Sequence, residues 1–151
     1  MSATIMLIED TASLRMLYAA VLRRAGFEVR QAATAQEGLD AFSHAPTEAV
    51  LLDLMLPDRA GLDLMRDLLA LEPRTGVIAI TANGSILRAI EAMRAGASDF
   101  LVKPFDESRM ITATRNALAA QAVRDGPAAR SVAPERLAPV GRQPPSEPPA
   151  P

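Results

Sequence analysis

Residues 49–61 read Ala-Val-Leu-Leu-Asp-Leu-Met-Leu-Pro-Asp-Arg-Ala-Gly. Four apolar residues in a row run into one carboxylate, Asp53, and a loop marked by Pro57 and Gly61 follows. A short, unbroken apolar run of this kind suits a strand buried on both faces of a parallel sheet. The same pattern recurs on either side. Ile5-Met6-Leu7-Ile8 runs into Glu9 and Asp10, Val77-Ile78-Ala79-Ile80 into Thr81, and Asp99 to Val102 into Lys103. Phe27 to Arg30 supplies a fifth run.

Amphipathic segments fill the gaps. Leu14, Leu17, Tyr18, Val21 and Leu22 follow a helical stripe that Gly26 stops. Thr34 with Glu37 is a capping-box pattern ahead of Leu39 and Phe42. Leu62, Met65, Leu68 and Leu69 form a third stripe ended by Pro73, and Ile86, Ile90 and Met93 a fourth ended near Gly96. Asp106 can cap a fifth, with Met110, Ile111, Thr114 and Leu118 on its buried side. Five strand–helix units predict an open, doubly wound α/β sheet with five helices. In such sheets functional groups gather past the carboxyl ends of the strands.

Composition bounds the rest. The chain has 151 residues and 49% hydrophobic content, enough for one core. Eight of its 12 prolines fall in the last 28 residues, where apolar periodicity stops. That shift predicts a domain over 1–123 and a Pro/Ala/Arg-rich tail over 124–151 that cannot bury enough surface to order itself. The tail reads as a tether or as a Pro-rich ligand. The net charge of −2, 3% aromatics and absent Trp argue against direct nucleic-acid binding. Absent Cys excludes disulfides and a thiol nucleophile. With neither a signal-peptide pattern nor a membrane-length apolar run, a cytoplasmic setting is expected. Of the 16 basic residues, only Lys103 is lysine.

The strand ends carry the chemistry. Glu9, Asp10 and Asp53 would repel one another on a common rim unless a cation screens them. An all-oxygen set favours a hard divalent ion, Mg2+ or Mn2+. A carboxylate nucleophile beside such an ion, a hydroxyl and an ammonium is what phosphoryl transfer to an aspartate requires. A strand-end acid alone is usually a helix cap or a solvated loop residue. The set of five carries the reading.

From Thr4 to Gln121 the chain resembles the receiver domains of two-component response regulators. The resemblance rests on Leu-Ile-Glu-Asp at 7–10, Leu-Leu-Asp-Leu-Met-Leu-Pro-Asp at 51–58 with Gly61, and Ile-Thr-Ala at 80–82. Gly-Ala at 96–97 and Phe-Leu-Val-Lys-Pro-Phe at 100–105 complete it. It is similar in flavour to receivers of NtrC- or LuxO-type activators. The resemblance implies a flavodoxin-like sheet of order 2-1-3-4-5 and a site filled position by position. Asp53 would be the phospho-acceptor. Asp10, Asp53 and the backbone carbonyl of Met55 would hold the metal, with Glu9 acting through water. Thr81 and Lys103 would bind the phosphoryl group, Ala82 would leave it room, and Phe100 would be the aromatic switch. Met55 and Asn83 would tune the phosphoryl lifetime in opposite directions. Pro57 and Gly61 would shape the acceptor loop, and the Lys103–Pro104 bond would be cis.

Implied partners are a sensor histidine kinase or phosphotransfer protein, and a second copy through the face made by the fourth helix, the fifth strand and the fifth helix, where Arg88, Arg94 and Glu91 can form ion pairs. Two other functions compete. A related aspartyl-phosphate hydrolase needs a second Asp where Met55 stands, and an adaptor would not need the intact acceptor set. With no second globular stretch after Arg124, the chain reads as a stand-alone receiver or as the regulatory part of a longer activator. Asp58, Asp63, Asp67 and Asp99 read as solvated surface, and His44 as an exposed chain-reversal residue. Met6, Met16, Met65, Met93 and Met110 read as core fillers.

Overall fold

The computed structural model describes residues 2–82 and 84–125, with backbone alone for 122–125. Asn83 and the tail from Gly126 onward lie outside the described residues. Strands β1 (Thr4–Ile8), β2 (Glu28–Ala32), β3 (Ala49–Asp53), β4 (Gly76–Thr81) and β5 (Asp99–Val102) alternate with five helices. These are α1 (Ala12–Arg24), α2 (Ala35–His44), α3 (Gly61–Leu71), α4 (Ile86–Arg94) and α5 (Glu107–Asp125). All strand pairings are parallel and the order is β2-β1-β3-β4-β5, as expected.

Side-chain alternation assigns each central strand's residues to the two faces. Met6, Ile8, Val50, Leu52, Val77 and Ala79 face α2, α3 and α4, where Phe42, Leu64, Met65 and Leu68 close the core. Ile5, Leu7, Leu51, Ile78 and Ile80 face α1 and α5, against Tyr18, Leu22, Met110 and Ala117. Each fully buried Leu or Phe of these layers contributes roughly 1.5–3 kcal/mol of transfer free energy. No described helix is long and apolar enough to cross a membrane.

Most caps match the sequence reading. Thr34 Oγ1 accepts from Glu37 N at 3.1 Å while Glu37 Oε1 accepts from Ala33 N at 2.8 Å. Asp106 Oδ1 accepts from Arg109 N at 2.8 Å at the start of α5.

Several expectations are corrected. β2 runs two residues further than the apolar run, because at a sheet edge pairing with β1 as far as Ile8–Ala32 defines the strand. The stripe of α4 points the wrong way. Ile86, Ile90 and Met93 are 55%, 42% and 41% exposed, and Leu87 is 73% exposed. The helix lies instead on Ala89 and Ala92, both fully buried. Small residues let its axis approach the sheet closely, and periodicity alone cannot choose between two apolar faces. Leu17 and Met16 of α1 are exposed for the same reason, the helix seating on Tyr18, Ala19, Val21 and Leu22. Met16 and Met93 are therefore not core fillers, whereas Met6, Met65 and Met110 are.

Candidate functional site

Three of the strand ends bury polar groups. Glu9, Asp53 and Thr81 are 0%, 4% and 1% exposed at the carboxyl ends of β1, β3 and β4, and Lys103 reaches in from the end of β5. Its Nζ lies 2.9 Å from Asp53 Oδ2 and 3.2 Å from Glu9 Oε1. The first contact is a hydrogen-bonded ion pair. The second lacks hydrogen-bond geometry, which leaves Glu9 Oε1 buried without a donor. Glu9 Oε2 accepts from Thr11 N at 3.1 Å, and Asp53 Oδ1 accepts from Met55 N at 2.8 Å.

One carboxylate oxygen from each of Glu9, Asp10 and Asp53 lies within 4.8 Å of the others, with Asp10 on the exposed side. Burial pushes the Glu9 carboxyl above its ordinary range; the Thr11 N–H opposes this, the Asp53 charge adds to it and Lys103 opposes it. For Lys103, burial works against the charged form. The hydrogen bond to Asp53 and the charges of Asp53 and Glu9 outweigh it, so the ammonium is held above its ordinary value. A buried acid with an unfilled lone pair beside two further carboxylates suits a hard divalent cation. The residues present fit the ion that the sequence implies.

Thr81 Oγ1 is buried with no hydrogen-bond partner. An unpaired buried hydroxyl costs about 1–3 kcal/mol and so calls for an explanation in the bound state. Ala82 beside it is exposed and, with Lys103, Pro104, Phe105, Leu14, Leu17 and Tyr18, lines a groove of about 490 Å³. Tyr18 stacks on Phe105 with ring centroids 5.2 Å apart. Phe100 is half-buried against the α2–α3–α4 core, and the Lys103–Pro104 peptide is cis. At Gly61 a Cβ would lie 2.4 Å from Leu54 Cα, so only glycine allows the acceptor loop to close on itself.

The structure therefore brings Glu9, Asp10, Asp53, Thr81 and Lys103 together, with Met55 and Ala82 beside them. Asn83 lies outside the described residues. Two further contacts at the site carry no sequence signal. Arg15 Nη1 donates to the carbonyl of Glu9 at 2.8 Å, anchoring the turn that bears the acid pair. Arg88 Nη1 donates to Met55 Sδ at 3.4 Å, so this arginine engages the acceptor loop of its own chain.

The four acids read as solvated all have partners. Asp58 accepts from the amides of Ala35 and Gln36, Asp63 pairs with Arg66 and Asp67 with Arg59. Arg109 holds Asp99 with both guanidinium amines and also donates to the carbonyl of Phe100. His44 is exposed at the end of α2, its Nδ1 2.8 Å from the Asp40 carbonyl.

Comparison with known proteins agrees with this fold. Regulatory protein LuxO of Vibrio vulnificus is 38% identical over 112 residues, covering 74% of this chain and 25% of LuxO. The chain thus spans about a quarter of the length of the LuxO relatives it matches. Chemotaxis protein CheY of Thermotoga maritima is 32% identical over 114 residues, covering 75% of this chain and 95% of CheY. The solved receiver domain of NtrX from Brucella abortus superposes with a TM-score of 0.74 at 33% identity, over 76% of this chain and 98% of that one. A receiver domain protein from Clostridium thermocellum gives 0.77 at 29% identity, over 80% and 98%. Residues 5–115 match the response regulator receiver domain, and the chain belongs to that family of two-component signalling domains.

Proposed function

We propose that Asp53 accepts a phosphoryl group from a phosphohistidine of a sensor kinase or phosphotransfer protein, and that the modified chain controls a partner or an attached effector. The observation that carries this is the Asp53 carboxylate, buried at a strand end, 2.9 Å from the Lys103 ammonium and on the same rim as a hydroxyl with no partner. An Asp53 oxygen forms the new O–P bond as the P–N bond to the donor imidazole breaks, and the imidazole keeps that electron pair.

Magnesium or manganese held by Asp10, Asp53 and the Met55 carbonyl, with Glu9 acting through water, would supply neutralising charge to the transferring group. Lys103 must loosen its hold on Asp53 and pair with a phosphoryl oxygen, for which its single compact charge is suited. Thr81 gains an acceptor for its orphaned hydroxyl by turning toward the new group, which draws the β4–α4 connection inward. Phe100 follows, and the α4-β5-α5 surface changes. The exposed Ile86, Leu87, Ile90 and Met93 make that surface apolar enough to meet a partner or a second copy. The chain is a switch that assists its own phosphorylation, not a turnover enzyme.

The test is incubation with magnesium and a small acyl phosphate, followed by intact mass. One phosphoryl group should appear on the parent and none on Asp53→Asn. Equal labelling of the two proteins would exclude Asp53 as the acceptor.

A further inference from the structure

Asp58 stands at the tip of the loop between β3 and α3, three residues past Met55, and the phosphotransfer reading gives it no task. Its carboxylate reaches another element. Oδ1 accepts from Ala35 N at 2.9 Å and Oδ2 from Gln36 N at 3.0 Å. These are the first two amides of α2, which the helix itself leaves unsatisfied, and they lie at the positive end of its dipole. The bonds from Ala35 and Gln36 hold the exposed Asp58 carboxyl below its ordinary range, against a small desolvation penalty.

The next amides of α2 do not depend on Asp58. Glu37 N bonds to Thr34 Oγ1 and Gly38 N to the Thr34 carbonyl, both at 3.1 Å. The base of the acceptor loop is also fixed separately. Leu54 N donates to Ile80 O at 3.0 Å, Gly61 N donates to Leu54 O at 3.1 Å, and the backbones touch at Gly61. At the edge of this base sits Met55, which bridges Ala60 through the backbone and whose N–H orders Asp53 Oδ1. At the tip, Asp58 ties the loop to α2 and the 2.9 Å Arg59–Asp67 ion pair ties it to α3. Without Asp58, only that partly exposed pair and the backbone bridge between Met55 and Ala60 would hold the Met55 peptide in place.

We infer that Asp58 is a positioning residue for the metal and phosphoryl site, clamping the loop tip to α2 and so fixing the Met55 backbone against Asp53. The inference rests on the magnesium reading given above. Outer groups that orient a metal's ligands typically change its affinity by 10–100-fold when lost.

Calorimetric titration of the unphosphorylated full chain with magnesium chloride tests it. Asp58→Ala should bind magnesium on the order of tenfold more weakly than the parent. Asp58→Asn keeps one oxygen for the two amides and should fall between them. Two controls separate clamping from helix capping and from net charge. Thr34→Ala removes the other cap of the same helix, and Asp63→Asn removes an exposed acid from the first turn of α3. Both should stay within about twofold of the parent, as expected for exposed groups.

Amide exchange of residues 54–60 in the metal-free chain should quicken in Asp58→Ala and not in Thr34→Ala. Parent-like magnesium binding by Asp58→Ala, or an equal loss in Thr34→Ala, overturns the assignment. A parent that takes up no magnesium removes the metal reading itself. Unchanged loop exchange in Asp58→Ala then refutes the clamp independently.

Discussion

The rim at the strand ends and the outer face of α4 break opposite rules. The rim buries two carboxylates and a hydroxyl where apolar groups normally sit, and α4 exposes four large apolar side chains where polar ones normally sit. On the rim, a fixed cation and backbone amides hold the charges, but two polar atoms lack donors or acceptors. On α4, small alanines carry the packing and the bulky residues are left over. One region stores unmet polar valence and the other unmet apolar area. A phosphoryl group would satisfy the first and a partner surface the second. Between them runs the short connection from Thr81 to Ile86, so changing one region can move the other.

The contrast can be broken most severely at the rim. Lys103→Ala should slow phosphorylation from a small acyl phosphate by on the order of a hundredfold or more, the usual cost of removing one group that stabilises developing charge. A stopped-flow or mass-resolved time course measures it, and a loss below about threefold would remove Lys103 from the chemistry.

Next comes α4, where two substitutions should have effects opposite to those its sequence suggests. Ala89→Leu forces bulk against the sheet and should cost about 1–3 kcal/mol in urea unfolding. Leu87→Ser, although it deletes a large apolar side chain, should stay within about 0.5 kcal/mol. The reverse ranking would mean that the helix seats on its bulky stripe.

Thr81→Val sharpens the rim side. It removes a buried hydroxyl without a partner and keeps the shape, so it should stabilise the metal-free chain by about 1 kcal/mol. Destabilisation would show that the hydroxyl is bonded in solution.

The smallest effect concerns pH. The Asp58 carboxyl is held below its ordinary 3.8 by the two α2 amides. Its contribution to stability should therefore be complete above that value and be lost as pH falls through the folded one. The difference in urea midpoint between parent and Asp58→Asn at about pH 6 should narrow as pH falls below 3.8. A gap that does not narrow at all below pH 3.8 would mean the carboxylate charge is not what binds the amides.

The same division separates what was legible in the sequence from what was not. β1, β3 and β4 were visible because strands buried on both faces must be apolar throughout, and the polar residue that ends each run then stands out. Glu9, Asp10, Asp53 and Thr81 followed from this at once, and Lys103 from the shorter run of β5. β2 was blurred because only Val29 and Ala32 of its five residues are shielded, so backbone pairing defines its end. The orientation of α4 was hidden because alanines and leucines both score as apolar, and the sheet selects between them by size. The contacts of Asp58, Arg15 and Arg88 were invisible for a third reason. Their partners are backbone atoms or a sulfur on other segments, and no spacing along the chain encodes such contacts.

Lys103 has one more consequence, because the other 15 cationic side chains are arginine. Protein grown on lysine enriched in nitrogen-15 would carry a single labelled side chain, seated against Asp53 and Glu9. A magnetic resonance spectrum of that sample would hold one lysine ammonium signal and one lysine amide signal, with no assignment needed. The chain thus comes with a built-in isotopic reporter. Magnesium binding, phosphorylation and its decay could all be followed on one resonance without altering a residue.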